Sequence, residues 1–359
     1  MEKMDNTKKG LLALVQAGLW EKEDQLFSLE DVDYLRILEL AELQGVVGLV
    51  AAGIEHVSDV KVPQACVLQF IGSTLQIEQR NEAMTKFTVE AVEKMRATGL
   101  NPLLVKGQGV GQCYERPLWR SSGDIDFFFS WEDYPKAVEL FTSWSGNVVQ
   151  NSRYTRSFGV VKEQWFIEVH GTLRSTLSSR QVREIDAVQK DTFDNRKFRV
   201  WKNGDVDIYL PEANNDLFFV FTHFVRHFYK EGMNLRQLCD WCRLLWVYRS
   251  EIDGRLLEER LHRAGLLEEW KAFAAVAVGY LGMPVEAMPL FDESDNEKLK
   301  RKAERIMCII LAGSTGSTVK DTWRIAKVFP WHTIQFSPSI FFHLNWLKVK
   351  ERVFSVHGS

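Results

Sequence analysis

The sequence predicts an α+β protein: a small mixed β-sheet flanked by N-terminal and C-terminal helical regions. Three observations point there. Apolar residues recur three and four apart through 30–53 and 64–97, the period of helices with one buried face. From 99 to 210 the pattern changes to short apolar runs separated by Gly, Pro and Asn-Gly punctuation, which marks strands and turns. After Pro211 the helical period returns as a stripe of Phe218, Phe221, Phe224, Val225 and Phe228. The expected division of the chain is therefore 1–98, 99–210 and 211–359.

Each element follows from local pattern. Asp31 and Ser73 are candidate helix starts, because short polar side chains cap unpaired helix N–H groups. The texture changes at Gly99-Leu100-Asn101-Pro102. Leu103-Leu104-Val105 then reads as a buried strand running into Lys106-Gly107-Gln108-Gly109, a Gly-containing turn that opens a helix. Asp124–Phe129 is a second strand, followed by a helix over Trp131–Trp144. Strands are expected near 146–150, 154–161 and 164–170, and a helix over 178–190. Strands 196–201 and 205–210 flank Asn203-Gly204, a strong hairpin signal. Helices are expected at 234–249, 254–264, 266–281 and 296–312, with Gly313–Thr318 a flexible loop.

Composition narrows the function classes. The 359 residues are 45% hydrophobic and 26% charged, enough apolar material to bury a large core and too much for disorder. A net charge of −3 argues against a surface that binds nucleic acid globally. Residues 297–359 nonetheless carry 11 Lys/Arg against 4 Asp/Glu, so a local basic face there keeps a nucleic-acid partner open. Five Cys, an odd number, imply no disulfide framework. Neither a signal peptide nor an apolar run of the roughly 20 residues that span a membrane is expected. The expected setting is cytoplasmic, with no membrane partner.

The chemistry concentrates in Arg120-Ser121-Ser122-Gly123-Asp124-Ile125-Asp126-Phe127. Side chains alternate along a strand, so Asp124 and Asp126 project to one side while Ile125 and Phe127 pack on the other. Two adjacent carboxylates repel unless a cation joins them. Oxygen ligands favour Mg²⁺ or Mn²⁺. Neutralising either acid is expected to disable the site without destabilising the fold. A third acid lies in Trp165-Phe166-Ile167-Glu168-Val169-His170, where alternation puts Phe166, Glu168 and His170 on one face. If that strand neighbours the first, Glu168 completes a cluster able to hold two metals for phosphoryl transfer. The turn at Lys106-Gly107-Gln108-Gly109 would let phosphate oxygens approach backbone N–H groups.

This order of strand, Gly turn, helix, Gly-Asp-x-Asp and later acid resembles the DNA polymerase β-type nucleotidyltransferase superfamily. It is more closely similar to a bacterial family of uncharacterised nucleotidyltransferases. The residues that carry the resemblance are Val105-Lys106-Gly107, Tyr114-Glu115-Arg116-Pro117, Arg120, Gly123-Asp124-Ile125-Asp126 and Glu168-Val169-His170. His223, His227, Gly232 and Leu235-Arg236-Gln237-Leu238-Cys239-Asp240 resemble that family's helical part. The resemblance implies Mg²⁺-dependent transfer of a nucleoside monophosphate from an NTP to an unidentified acceptor: a small molecule, RNA or protein. Asp124, Asp126 and Glu168 would be the metal ligands and catalytic acids. Lys106, Gly107, Gln108, Arg120 and Gly123 would contact the nucleotide, and His170, His223, His227, Arg236 and Asp240 would border the substrate cleft. Gln108 departs from the superfamily, which usually has Ser or Gly there.

Plainer readings stand beside these. Lys106 and Arg120 either bind triphosphate oxygens or pair with the acids. Arg236 and Asp240, four apart, suit an intrahelical ion pair. His223 and His227 share a helix face but lack a third zinc ligand. Cys239 and Cys242 read as packed thiols. The second Gly-Asp-x-Asp, Gly204-Asp205-Val206-Asp207, is explained by its hairpin turn. The basic run Lys298–Arg305 reads as a solvated helix face. Two further function classes remain: a non-catalytic nucleotide- or partner-binding protein on the same fold, and a metal-dependent glycosyltransferase. The helical texture of the first hundred residues disfavours the latter.

Overall fold

The computed structural model describes residues 4–22, 32–57, 62–145, 147–152, 155–174, 178–292, 297–314 and 316–332. Four helices come first: α1 (Asn6–Trp20), α2 (Tyr34–Gln44), α3 (Val47–Glu55) and α4 (Gln64–Ala97). Asp33 caps α2 by accepting from Arg36 N–H at 3.0 Å. Asp31 lies outside the described residues. Ser73 is interior to α4, which starts after Pro63.

The middle of the chain builds a seven-stranded mixed sheet. Its strands are β1 (Leu103–Val105), β2 (Ile125–Phe128), β3 (Val148–Ser152), β4 (Ser157–Lys162), β5 (Trp165–His170), β6 (Phe198–Asn203) and β7 (Val206–Pro211). Their order across the sheet is β3-β4-β5-β2-β1-β7-β6. β2 runs antiparallel to β1 and parallel to β5, while β1 runs parallel to β7. Three helices are interleaved: α5 (Gly107–Gly111), α6 (Tyr134–Ser145) and α7 (Ser179–Asp194). The Asn203-Gly204 hairpin forms as expected, with Gly204 at φ +58°.

The sheet separates two cores, and alternation along its strands decides which residue enters which. Leu104, Ile125, Phe127, Ile167 and Val169 pack on one face with Met84, Phe87 and Val92 of α4 and Phe141 of α6. Leu103, Val105 and Phe128 point to the other face. There they join the larger core of the C-terminal helices α8 (Ala213–Glu231), α9 (Leu235–Val247), α10 (Gly254–Ala264), α11 (Leu267–Leu281) and α12 (Glu297–Leu311). Phe128 meets Phe219 of α8 edge-to-face at 5.6 Å. This second face is the one from which Asp126 projects, so the helical part of the chain forms the opposite wall of any site built there.

A further helix, α13 (Thr318–Val328), was not legible in the sequence. Tertiary contacts hold it: the Thr322 hydroxyl donates to the carbonyl of Lys230 at the end of α8. Ahead of it, Ser314 Oγ donates to Asp321 at 2.6 Å, which ties down the segment read as a loop. The basic run Lys298–Arg305 lies on α12, whose Ala303 and Ile306 are buried and whose Lys298, Lys300, Arg301 and Arg305 are exposed. Among the described residues no helix is long and apolar enough to cross a membrane.

Candidate active site

The site starts where β1 ends. Lys106 adopts φ +56°, ψ −146°, a conformation that L residues rarely take and that costs about 1–3 kcal/mol. Gly107 follows at φ +38°, and a Cβ there would lie 3.4 Å from the carbonyl oxygen of Asp124. The turn aims the Lys106 side chain across β2, where Val105 stands opposite Asp126. Lys106 Nζ reaches Asp126 Oδ1 at 2.6 Å.

The parallel pairing of β2 and β5 sets Asp126 opposite Glu168 and Phe128 opposite His170. This register supplies the adjacency that the sequence left open. His170 Nε2 lies 2.7 Å from Asp126 Oδ1 and 3.3 Å from Glu168 Oε2. Both carboxylates are acceptors, so Nε2 carries the proton between them. Asp126, Glu168 and His170 offer ligand atoms that all lie within 4.8 Å of one another. Asp124, one residue ahead of β2, lines the same cleft.

The two aspartates experience opposite fields. The charge of Asp126, then burial, raises the Asp124 carboxyl above its ordinary value, with Glu168 adding to the effect and Lys106 opposing it. Burial also works against ionised Asp126, but the Lys106 ammonium and the His170 hydrogen bond outweigh it and hold that carboxyl well below the usual range. Glu168 is lowered in the same way: burial opposes and His170 prevails. His170 is raised, because its bonds to Asp126 and Glu168 overcome its burial. The cluster thus has two acids held by Lys106 and His170 and one, Asp124, repelled by its neighbours.

Around this cluster the expected residues divide. Arg120 is committed to Asp240 in a buried bidentate pair, Nε–Oδ1 2.8 Å and Nη2–Oδ2 2.7 Å. Tyr114 donates to Asp240 Oδ1 at 2.7 Å. Arg120 is therefore a brace for the loop before Asp124, and its partner is Asp240 of α9 rather than one of the clustered acids that the sequence offered. The intrahelical Arg236–Asp240 pair does not form. Asp240 is taken by Arg120, and Arg236 donates instead to the Ser121 carbonyl at 2.6 Å. Gln108 also departs from expectation. Its amide donates to the Asn81 carbonyl and to Thr85 and accepts from Thr88, all on α4. Its side chain is turned away from the cleft.

The cleft holds about 570 Å³ between the sheet and the C-terminal helices. Lys106, Gly107, Gly123, Asp124, Asp126, Glu168 and His170 form one side. His223 and His227 of α8 and Arg236 and Asp240 of α9 lie on the other. The rings of His223 and His227 are 4.3 Å apart. Neither belongs to a group of three metal-ligating side chains among the described residues. Arg226 and Lys230 of α8 and Arg174 also line the cleft, and sequence reasoning missed them. The signal was present for α8: 223, 226, 227 and 230 share one helical face, beside the apolar stripe. Cys239 and Cys242 are buried thiols. Asp205 and Asp207 are exposed at the far hairpin and do not line the cleft.

A mixed sheet thus presents clustered acids and a lysine on a strained turn toward a helical wall that carries basic side chains. The chain belongs to the family described as uncharacterised nucleotidyltransferases, whose family model matches residues 30–282. That span starts just ahead of α2, ends just after α11 and contains every residue of the cleft. Comparison with curated proteins and with solved structures gave no significant match.

Proposed function

We propose that the protein transfers a nucleoside monophosphate from an NTP to an acceptor hydroxyl or amine in a reaction dependent on Mg²⁺ or Mn²⁺. The observation that carries this reading is the register of Asp126 against Glu168, with Asp124 bordering the same cleft. The donor set fits the ion: carboxylate oxygens suit Mg²⁺ and Mn²⁺, and an imidazole beside them is tolerated by Mn²⁺. The raised Asp124 carboxyl fits too, because a bound cation relieves the repulsion that raises it. Asp124, Asp126 and Glu168 would hold the metal.

When bound, the metal supplies charge neutralisation of the donor phosphates and polarises the phosphorus under attack. The chain's own groups orient and shield. Lys106 places a positive charge against the acids and beside Gly107, where a phosphate oxygen would approach. His170 fixes the carboxylates of Asp126 and Glu168 relative to each other. The Arg120–Asp240 pair holds the Ser121–Gly123 loop and with it the backbone of Asp124. The acceptor attacks the α-phosphorus in line, and pyrophosphate leaves.

Incubation with each labelled NTP, Mg²⁺ and a cell extract tests the reading. A labelled acceptor and metal-dependent release of pyrophosphate are expected. Absence of both with all four NTPs would overturn it.

A further inference from the structure

Arg236, the second residue of α9, sits where a cation is costly. A positive charge in the first turn of a helix opposes the helix dipole, and the first turn of α9 carries no acid to balance it. Burial, then the like charge of Arg120, lowers the Arg236 guanidinium below its ordinary value, with Asp240 and Asp124 opposing. Asp240 forms no ion pair with it, since Arg120 engages both of its oxygens and Tyr114 one of them. Among the described residues no carboxylate lies within 4.0 Å of Arg236, and its Nε is buried without a hydrogen-bond partner. Its hydrogen bond from Nη1 to the Ser121 carbonyl meets a neutral acceptor. A charge taken from water in this way calls for an anion.

The side chain is nonetheless fixed at both ends. Its stem passes the glycine that ends α2, where a Cβ on Gly45 would lie 3.5 Å from Arg236 Cβ and Cδ. Its head hangs on Ser121, three residues ahead of Asp124, and Arg236 and Asp124 line the same cleft. We infer that Arg236 grips the donor's phosphates beside the acid cluster, the contact that the sequence offered to Arg120, and the inference rests on the proposed transfer. In that transfer a bond forms from the acceptor heteroatom to the α-phosphorus, and the bond to the α,β-bridging oxygen breaks. The electron pair departs with pyrophosphate, and the acceptor's proton goes to solvent. The triphosphate must stay in line throughout. Guanidinium N–H groups hold phosphate oxygens by charge-assisted hydrogen bonds of defined direction, and a side chain already anchored at stem and head loses little freedom in doing so. The phosphates are then held from the sheet side by the acids and their metal, and from the helical side by Arg236.

The probes are ATP, GTP, CTP and UTP with Mg²⁺, and inorganic triphosphate with Mg²⁺, each titrated calorimetrically into the full chain. Inorganic triphosphate carries the donor's phosphates without base or sugar. Arg236→Met should weaken both the NTP that binds and inorganic triphosphate at least about tenfold, the loss of a charge-assisted hydrogen bond. Arg236→Lys should recover part of that loss, because it restores the charge without the fork. Mn²⁺ binding in the absence of nucleotide, read by electron paramagnetic resonance, should stay within about twofold of wild type in both variants, since the acids are untouched. NTP affinity unchanged in Arg236→Met would overturn the inference and leave the transfer reading standing. So would inorganic triphosphate that fails to bind the wild type or binds both proteins alike, since the contact would then lie elsewhere than on phosphate. Loss of Mn²⁺ together with NTP in Arg236→Met would also overturn it, by showing that the residue acts only through the loop that carries Asp124. Wild-type protein that binds none of the four NTPs with Mg²⁺ would overturn the transfer reading itself.

Discussion

Asp126 and Glu168 stand opposite each other on adjacent parallel strands, and His170, two residues beyond Glu168, donates into the space between their carboxylates. Parallel pairing brings residues 42 positions apart into one ligand set. It also makes the two acids interdependent, because one imidazole proton serves both.

Asp124→Asn and Asp126→Asn should each abolish transfer, but their effects on stability should differ in sign. The sequence suggested that neither change would destabilise the fold. The structure corrects this for Asp126, which is buried and paired with Lys106 and His170. Its replacement leaves the Lys106 ammonium uncompensated and weakens the acceptor of the His170 N–H, and should cost about 3–5 kcal/mol. Asp124 is repelled by its neighbours, so its replacement should be neutral or stabilising. Urea denaturation of the two variants at pH 7 checks the difference, with Asp205→Asn and Asp207→Asn as silent controls on the exposed hairpin.

Glu168→Gln keeps the size and removes the charge, so Mn²⁺ affinity and turnover should fall together. Glu168→Asp should retain partial activity, since it supplies the same charge with one methylene less reach. Parallel measurement of metal binding and rate in both variants is the check. Full activity in Glu168→Gln would remove this residue from the ligand set.

NTP binding should be weak without a divalent ion and tighten when Mg²⁺ is added, because the clustered carboxylates of Asp124, Asp126 and Glu168 repel the triphosphate. Calorimetric titration of ATP, GTP, CTP and UTP with and without Mg²⁺ measures this. Equal affinities in the two conditions would contradict the ligand assignment.

Asp240→Asn should destabilise the protein by about 3–5 kcal/mol, because it strands the buried Arg120 guanidinium. Arg120→Met together with Asp240→Leu, which removes both charges, should recover much of that loss. Chemical denaturation of the single and double variants reads the coupling.

His223 gives the stability a pH dependence. Its folded value is depressed well below the ordinary imidazole value, by burial and by neighbouring positive charge. The native state then binds fewer protons than the unfolded chain. The contribution is present above about pH 6.5 and is lost as pH falls below it, by up to about 1.4 kcal/mol per pH unit. Urea midpoints at pH 7.5 and 5.5 should differ more for wild type than for His223→Gln.

The sequence by itself determined what short-range chemistry dictates. Alternation along 124–129 and 164–170 assigned Asp126, Glu168 and His170 to single faces. Asn203-Gly204 fixed the hairpin and made its acids structural. The Phe stripe of α8 fixed the buried side of that helix. Each of these depends on residues only a few positions apart, where backbone geometry leaves little choice. Tertiary structure alone decided which face met which. Nothing local to β2 or β5 states that they pair in parallel, or at which register. Asp240 had a partner at the right helical spacing in Arg236 and was claimed instead by Arg120, 120 residues away, because burial rewards the bidentate pair. Gln108 sat in a turn suited to phosphate and was drawn aside by three hydrogen-bonding partners on α4. The resemblance placed His223 and His227 of α8 at the substrate cleft, but nothing in their spacing alone did so. α8 became a wall of the cleft only because the sheet and the helical core meet there, and that meeting is set by packing between segments distant along the chain.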